Sequence, residues 1–237
     1  MAVTKKTGTI EAFQIPAPNI QMMKVRIKGT SPLIFHKWDE KAIKMILDKQ
    51  MKKVTKGREI RDPEKEYKSS FYFDKDGNIA VPTRNIKQAI VGSARFVQGV
   101  PMTILRGTIF VWGIKEREYA AVLVNGKPVT VTETVMNELA AQGIVGHDKA
   151  VDSVQMRQDM VTVGMGSADI RFRGQVDDWT SEFLIQYDAD LLSAEQVLNL
   201  LQRAGFSQGL GEWRPEKNGD NGTFTVDSTS ESPNKKK

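Results

Sequence analysis

The sequence predicts an α+β domain in which strands outnumber helices, and three observations carry that reading. Met23, Val25 and Ile27 alternate with Lys24, Arg26 and Lys28, the period of two expected of a half-buried strand. Residues 71–81, FYFDKDGNIAV, flank Asp76-Gly77-Asn78 with aromatic and β-branched positions, which reads as a hairpin closed by residues that tolerate positive φ. Glu182 to Tyr187, the helical pattern after Ser193 and Thr223 to Val226 spell strand, helix, strand.

Taken in order, residues 1–20 hold Pro16 and Pro18 and no sustained period, so they read as an extended arm. After the first strand and a turn over Gly29 to Pro32, Asp39 is placed to cap a helix. Its Ile43, Ile46, Leu47 and Met51 recur at helical spacing, with lysines on the outer side. Residues 54–70 are charged and nearly free of apolar side chains, and predict a mobile loop that orders on binding. The 71–81 hairpin runs directly into a helix opened by Pro82 and Thr83, carrying Ile86, Ile90, Ala94 and Val97 and stopped by Gly99 and Pro101. Strands follow at 104–112 and 119–131, the second broken by an Asn125-Gly126 turn. Residues 132–168 show a short helical pattern around Val135 to Ala141 and little clean periodicity beyond it. In the last third, Ser193-Ala194-Glu195-Gln196 forms a capping box for a helix carrying Val197, Leu198, Leu200, Leu201 and Ala204 and closed by Gly205. Residues 227–237, DSTSESPNKKK, read as a disordered polar tail.

Composition limits the function classes. Of 237 residues, 40% are hydrophobic and 27% charged, as in globular chains. No apolar run reaches the roughly 18–20 residues of a membrane span, and MAVTKKTGTIEAF lacks the apolar stretch of a signal peptide, so the expectation is a soluble, non-exported protein. The absence of cysteine excludes disulfides, thiolate metal sites and cysteine nucleophiles. The formal charge of +5 suits a polyanionic partner, and its distribution is uneven: Lys37 to Lys68 holds eleven basic residues, Lys52 and Lys53 among them, against seven acidic ones.

Two motifs combine residues that could bind nucleic acid. In GFSQGLGEWRPEKNGDNGTF, five of the 19 glycines accompany Trp213, Arg214 and Lys217 between a helix and the last strand. Glycine lets backbone N–H groups turn toward an anion, cations neutralise phosphate and an indole stacks on a base. The alternative is a structural loop with Trp213 in the core and Arg214 paired with Glu212 or Glu216. In IAVPTRNIKQAIVGSAR, Arg84, Lys87 and Arg95 accompany a helix N-terminus, where free N–H groups and the dipole attract phosphate. The alternative is an ordinary solvated helix face. Neither motif is a Walker loop, and no G-x-G-x-x-G opens a helix.

The strand at 22–28, the IAVPTRNIKQAIVGSAR segment and a glycine-rich loop before the last strand together resemble the RAMP superfamily, the RRM-derived backbone subunits of CRISPR effector complexes. Pro82, Lys87, Ala89 and Arg95 match the family's "iPgsslkGalR" helix motif loosely, with Gly92 displaced. The loop is longer and more charged than is typical, and its GEWRP ending is similar to uncharacterised phage proteins. The resemblance implies a ferredoxin-like (RRM-like) core sheet with β-rich insertions at about 30–80 and 113–180 in a single domain over 21–226. It also implies copies assembled along single-stranded RNA or DNA, with other complex subunits as partners, in the cytoplasm of a prokaryotic or phage-infected cell.

Little supports catalysis. The only two histidines, His36 and His147, are far apart in sequence, and no G-x-S-x-G is present. Family analogy makes Asp39 a candidate for RNA cleavage, but its placement already suits a helix cap. Asp177 and Asp178, beside Trp179, could bind a metal or simply form a solvated turn. The leading expectation is a non-catalytic single-strand-binding protein with no cofactor, contacting its ligand through Lys24, Arg26, Lys52, Lys53, Arg84, Lys87, Arg95, Trp213, Arg214 and Lys217. The alternatives are a phage-type assembly protein and a metal-dependent nuclease.

Overall fold

A computed structural model describes residues 16–38, 40–51, 61–137, 139–163 and 166–231. In chain order its elements begin with β1 (Ile20–Gly29), β2 (Leu33–Ile34), α1 (Glu40–Gln50), α2 (Pro63–Ser69), β3 (Tyr72–Phe73), β4 (Ile79–Pro82) and α3 (Thr83–Ser93). The middle holds α4 (Met102–Thr108), β5 (Ile109–Gly113), β6 (Tyr119–Val124), β7 (Lys127–Pro128), β8 (Thr134–Met136), β9 (Ile144–Asp148), β10 (Val154–Val163) and β11 (Ser167–Val176). The chain closes with β12 (Trp179–Asp188), α5 (Ala194–Ser207) and β13 (Phe224–Glu231).

The alternation in β1 does what its period dictates. Met23, Val25 and Ile27 are buried, while Lys24 and Arg26 lie half-buried on the other face. Antiparallel pairing with β12 sets Lys24 opposite Leu184 and Arg26 opposite Glu182. On its other edge β1 pairs with β13, and β12 pairs in turn with β5 and β6, giving the core order β13-β1-β12-β5 with every neighbour antiparallel. In the chain these strands form two β–α–β units, β1–α3–β5 and β12–α5–β13. Residues 30–82 separate β1 from α3, and 114–178 separate β5 from β12. Ile86 and Ile90 of α3 and Val197, Leu201 and Ala204 of α5 join the inward side chains of the strands in one core. Ser93 Oγ donates to Leu200 O at 3.0 Å and ties the two helices together. Phe183 is fully buried at the centre, a side-chain burial that contributes about 1.5–3 kcal/mol.

The 71–81 hairpin and the Asn125-Gly126 turn both form. Asp74 accepts from the backbone N of Asp76 and of Asn78, Gly77 has φ 80°, and Asn125 and Gly126 have φ 51° and 76°. The capping box on α5 is present in both directions, with Ser193 Oγ accepting from Gln196 N and Gln196 Oε1 accepting from Ser193 N. A second antiparallel sheet runs β2-β11-β10-β9-β8.

The structure corrects several expectations. Residues 61–70 of the expected loop are not loop: Asp62 accepts from Lys65 N, Pro63 opens α2, and the fully buried Tyr67 anchors it. One tyrosine at the right position outweighs the surrounding charge. Residues 54–60 of that loop, and Asp39, lie outside the described residues. The strand expected from 104 begins only at Ile109, because Pro101 starts α4, whose Leu105 packs into the core. The helical pattern near Val135 to Ala141 resolves into β8 and a 3-10 turn at Ala140–Gln142, with β8 held by pairing to β9. The stretch that shows little clean periodicity forms the β10–β11 hairpin, one face of which carries arginines and aspartates that pair with one another. Residues 227–231 of the expected tail extend β13, and 232–237 lie outside the described residues, as do 1–15 of the arm. Gly205 sits inside α5 rather than closing it; a Cβ there would overlap Phe224 O, so the glycine serves the close approach of helix and strand.

Candidate nucleic-acid interface

The glycine-rich loop is built on the turn after β1. Thr30 N donates to Thr223 O at 2.9 Å, Gly222 N to Pro32 O at 2.8 Å and Glu212 N to Ile34 O at 2.8 Å. Gly211 has φ 76° and Gly222 φ 69°, and a side chain on either would overlap a carbonyl, Ile34 O for the first and Leu210 O for the second. The glycines therefore let two backbones approach closely. Leu210 is buried beneath them, and a 3-10 turn at Pro215–Lys217 closes the outer part.

Between this loop, the 33–38 segment and α3 lies a cleft of about 800 Å³. Two motifs more than a hundred residues apart in sequence thus form opposing walls. Arg84, Arg95 and Arg106 line it, and none has an ion-pair partner among the described residues. The first turn of α3 has no side-chain cap and no acidic residue; Thr83 N donates to Glu118 O at 2.8 Å, and the positive end of the helix dipole adds to the same field. The opposing wall carries Glu212 and Glu216. His36 Nδ1 lies 3.3 Å from Glu212 Oε2, and the nearly buried Arg173 lies 3.8 Å from Oε1. The His36 hydrogen bond, with the charges of His36, Arg173 and Arg214, holds the Glu212 carboxyl below the usual carboxylate range against the opposing effect of burial. Behind it, Arg173 meets the buried Asp159 at 3.1 Å, and Arg157 Nε donates to the same carboxylate at 2.9 Å.

The sequence-derived residues separate on this frame. Arg84, Lys87, Arg95 and Arg214 line the cleft; Lys24, Arg26, Trp213 and Lys217 do not. Lys24 meets Glu182 at 2.8 Å and Arg26 meets Asp227 at 3.5 Å, so two of the three cations on the strand face are paired with acids. Lys87 Nζ donates to Arg106 O at 2.8 Å and lies 4.1 Å from the centroid of the Phe110 ring; burial pushes its pKa down. Arg214 is committed within the loop, donating from both Nε and Nη2 to Glu216 Oε2 and from Nη1 to Gly211 O. That is the structural alternative for Arg214. Trp213 has φ 53° and is 37% exposed, so it is not a core residue. Lys52 and Lys53 lie outside the described residues.

Sequence reasoning missed Arg106, whose segment read as strand, and the His36–Glu212 pair, whose members are 176 residues apart. Asp177 accepts from the side-chain amides of Gln155 and Gln175, and Asp178, at φ 50°, makes the turn into β12. Burial raises the Asp177 pKa. Among the described residues no group of three or more His, Cys, Asp or Glu is placed to hold a metal ion, and no helix is long and apolar enough to cross a membrane.

No family model and no curated protein matches the chain. Among solved structures, it is similar to a chain of the type III-B Cmr-beta complex bound to cognate target RNA, determined by cryo-EM. The TM-score is 0.47 at 9% sequence identity, over 90% of this chain and 60% of that one. The present chain thus spans less than two thirds of that neighbour's length.

Proposed function

We propose that this chain binds single-stranded RNA or DNA in the cleft between α3 and the glycine-rich loop, without cutting it. The observation that carries the reading is the meeting of Arg84, Arg95 and Arg106, unpaired among the described residues, with an uncapped helix N-terminus in one cleft. Uncompensated guanidinium groups along a groove track a phosphate backbone, and guanidinium geometry matches phosphate oxygens. We read the β13-β1-β12-β5 order with its two β–α–β units as a ferredoxin-like (RRM-like) core, with residues 30–82 and 114–178 as its insertions. In this reading the chain is a RAMP-like subunit that works in assemblies. The exposed stripe of Ile43, Ile46 and Leu47 on α1, continued by Met51 just after it, supports assembly.

The test is titration of labelled oligouridylate and oligothymidylate into the purified protein at several salt concentrations. About three to four phosphate contacts give a log–log slope of roughly −2 to −3, from about −0.7 per contact on single strands. A flat salt response would withdraw the proposal, and oligonucleotide cleavage in the presence of Mg²⁺ or Mn²⁺ would withdraw its non-catalytic part. Light scattering with and without oligonucleotide tests assembly; a monomer in both conditions counts against it.

A further inference from the structure

We infer that Phe96, Arg203 and Phe206 form a base-stacking platform at one exit of the cleft, gripping the strand as it leaves. The inference rests on the single-strand reading above. The two aromatic rings come from different elements, and each adjoins a cleft wall. Arg95 lines the cleft, and Phe96 follows it in the 3-10 turn Ala94–Phe96 that ends α3. Gln208 and Gly209 also line the cleft, and Phe206 lies in the last turn of α5 just before them. Arg203, one helical turn ahead of Phe206, holds its guanidinium carbon 5.0 Å from the centroid of Phe96 and 5.9 Å from that of Phe206.

Phe96 is 52% and Phe206 72% exposed, so both rings present surface to solvent beside the cleft. Neither Arg203 nor Arg95 has an ion-pair partner among the described residues. That choice of neighbours selects the occupant. An apolar protein surface laid over the two rings would strip water from uncompensated guanidinium groups, which is costly. A nucleotide chain has both parts the patch needs: a flat base for a ring face and a phosphate for the cation. Continuity with the cleft through the exposed Arg95 makes the ligand the same strand rather than a second molecule.

The test compares two lengths of fluorescein-labelled oligouridylate, and of oligothymidylate in parallel, on the full chain. A 3-mer matches the about three to four phosphate contacts of the cleft, and an 18-mer reaches beyond it. Phe206→Ala, at the more exposed ring, leaves the fold intact by melting temperature and is expected to weaken 18-mer binding about tenfold, the loss of one stacked base. The 3-mer is bound as by the parent chain, and Phe206→Trp keeps full affinity for the 18-mer. Arg84→Glu serves as the control and weakens both lengths. Equal loss on both lengths for Phe206→Ala overturns the platform, because the ring then acts through the cleft or the fold. No loss on either length, while Arg84→Glu still weakens both, also overturns the platform and leaves the cleft reading standing. An unchanged affinity with an altered mass by light scattering assigns the patch to a protein contact and likewise overturns it. If the parent chain binds neither length, both readings fail together.

Discussion

The segment from Lys37 to Lys68 and the cleft behind α3 make opposite uses of positive charge. The first is the most basic stretch by count, yet its described arginine and its last lysine are spoken for, Arg61 bridging Glu66 at 2.6 Å and Asp169 at 2.8 Å and Lys68 pairing with Glu64 at 2.8 Å, while Lys37, Lys44, Lys49 and Lys65, which have no ion pair among the described residues, are separate surface lysines that line no common cleft. The second brings only a few cations from three separate elements, and leaves Arg84, Arg95 and Arg106 without acids among the described residues. The difference teaches that a run of lysines and arginines measures composition, whereas the field a ligand meets depends on which charges the fold leaves unmatched.

The sharpest way to break this comparison is to reverse charges on each side of it. Arg84→Glu combined with Arg95→Glu is expected to lower oligonucleotide affinity at low salt on the order of a hundredfold and to flatten the log–log salt slope by about 0.7 for each phosphate no longer neutralised. Both residues are exposed, so melting temperature should hold. If Arg61→Ala matches that loss of affinity, charge count rather than pairing governs binding.

The next largest effect concerns the wall that the glycines build. Gly211→Ala places a Cβ against Ile34 O in backbone at φ 76°, and is expected to cost about 2 kcal/mol from the left-handed conformation and the displaced neighbour. Chemical denaturation measures the loss, and unchanged stability would show that the loop shifts freely on the 33–38 segment. Arg61→Ala itself should cost at most about 1 kcal/mol, because exposed and partly exposed ion pairs contribute little, with oligonucleotide binding untouched.

How far sequence alone reached follows the same division. Elements whose signal is local were legible: the alternation in β1, the Asp76-Gly77-Asn78 turn and the capping box at Ser193 each need only a few neighbouring residues. The two cleft motifs were also legible, since glycine clusters and a cationic helix start stand out in a string. What was illegible depends on residues far apart. Tyr67 turned a charged segment into a docked helix by filling a core site that no local pattern announces. Glu182 and Asp227 pair with Lys24 and Arg26 of β1 from neighbouring strands. Arg214 found Glu216 two residues away, and that pairing was readable as an alternative but not decidable without the loop geometry.

The smallest expected effect tests the electrostatic balance of the glycine-loop wall. Glu212 has its pKa lowered in the folded state, chiefly by the hydrogen bond to His36 and then by the charges of His36, Arg173 and Arg214. A carboxyl that folding makes more acidic binds fewer protons in the native chain than in the unfolded one. Its contribution to stability is therefore complete above the ordinary glutamate range and fades as pH falls through the lowered native value. Glu212→Gln removes that dependence: stability at neutral pH drops by a few tenths to about 1 kcal/mol, as for partly exposed pairs, while the difference from the parent chain narrows in acid. Because Glu212 repels phosphate from its side of the cleft, the same substitution should also tighten oligonucleotide binding slightly at neutral pH. Denaturation midpoints measured from neutral to strongly acidic pH, with one affinity at neutral pH, check both signs. A stability gap that widens in acid would mean that the carboxyl is not the ion pair's anionic half, and weaker binding would move Glu212 from the repelling wall to the ligand-holding one.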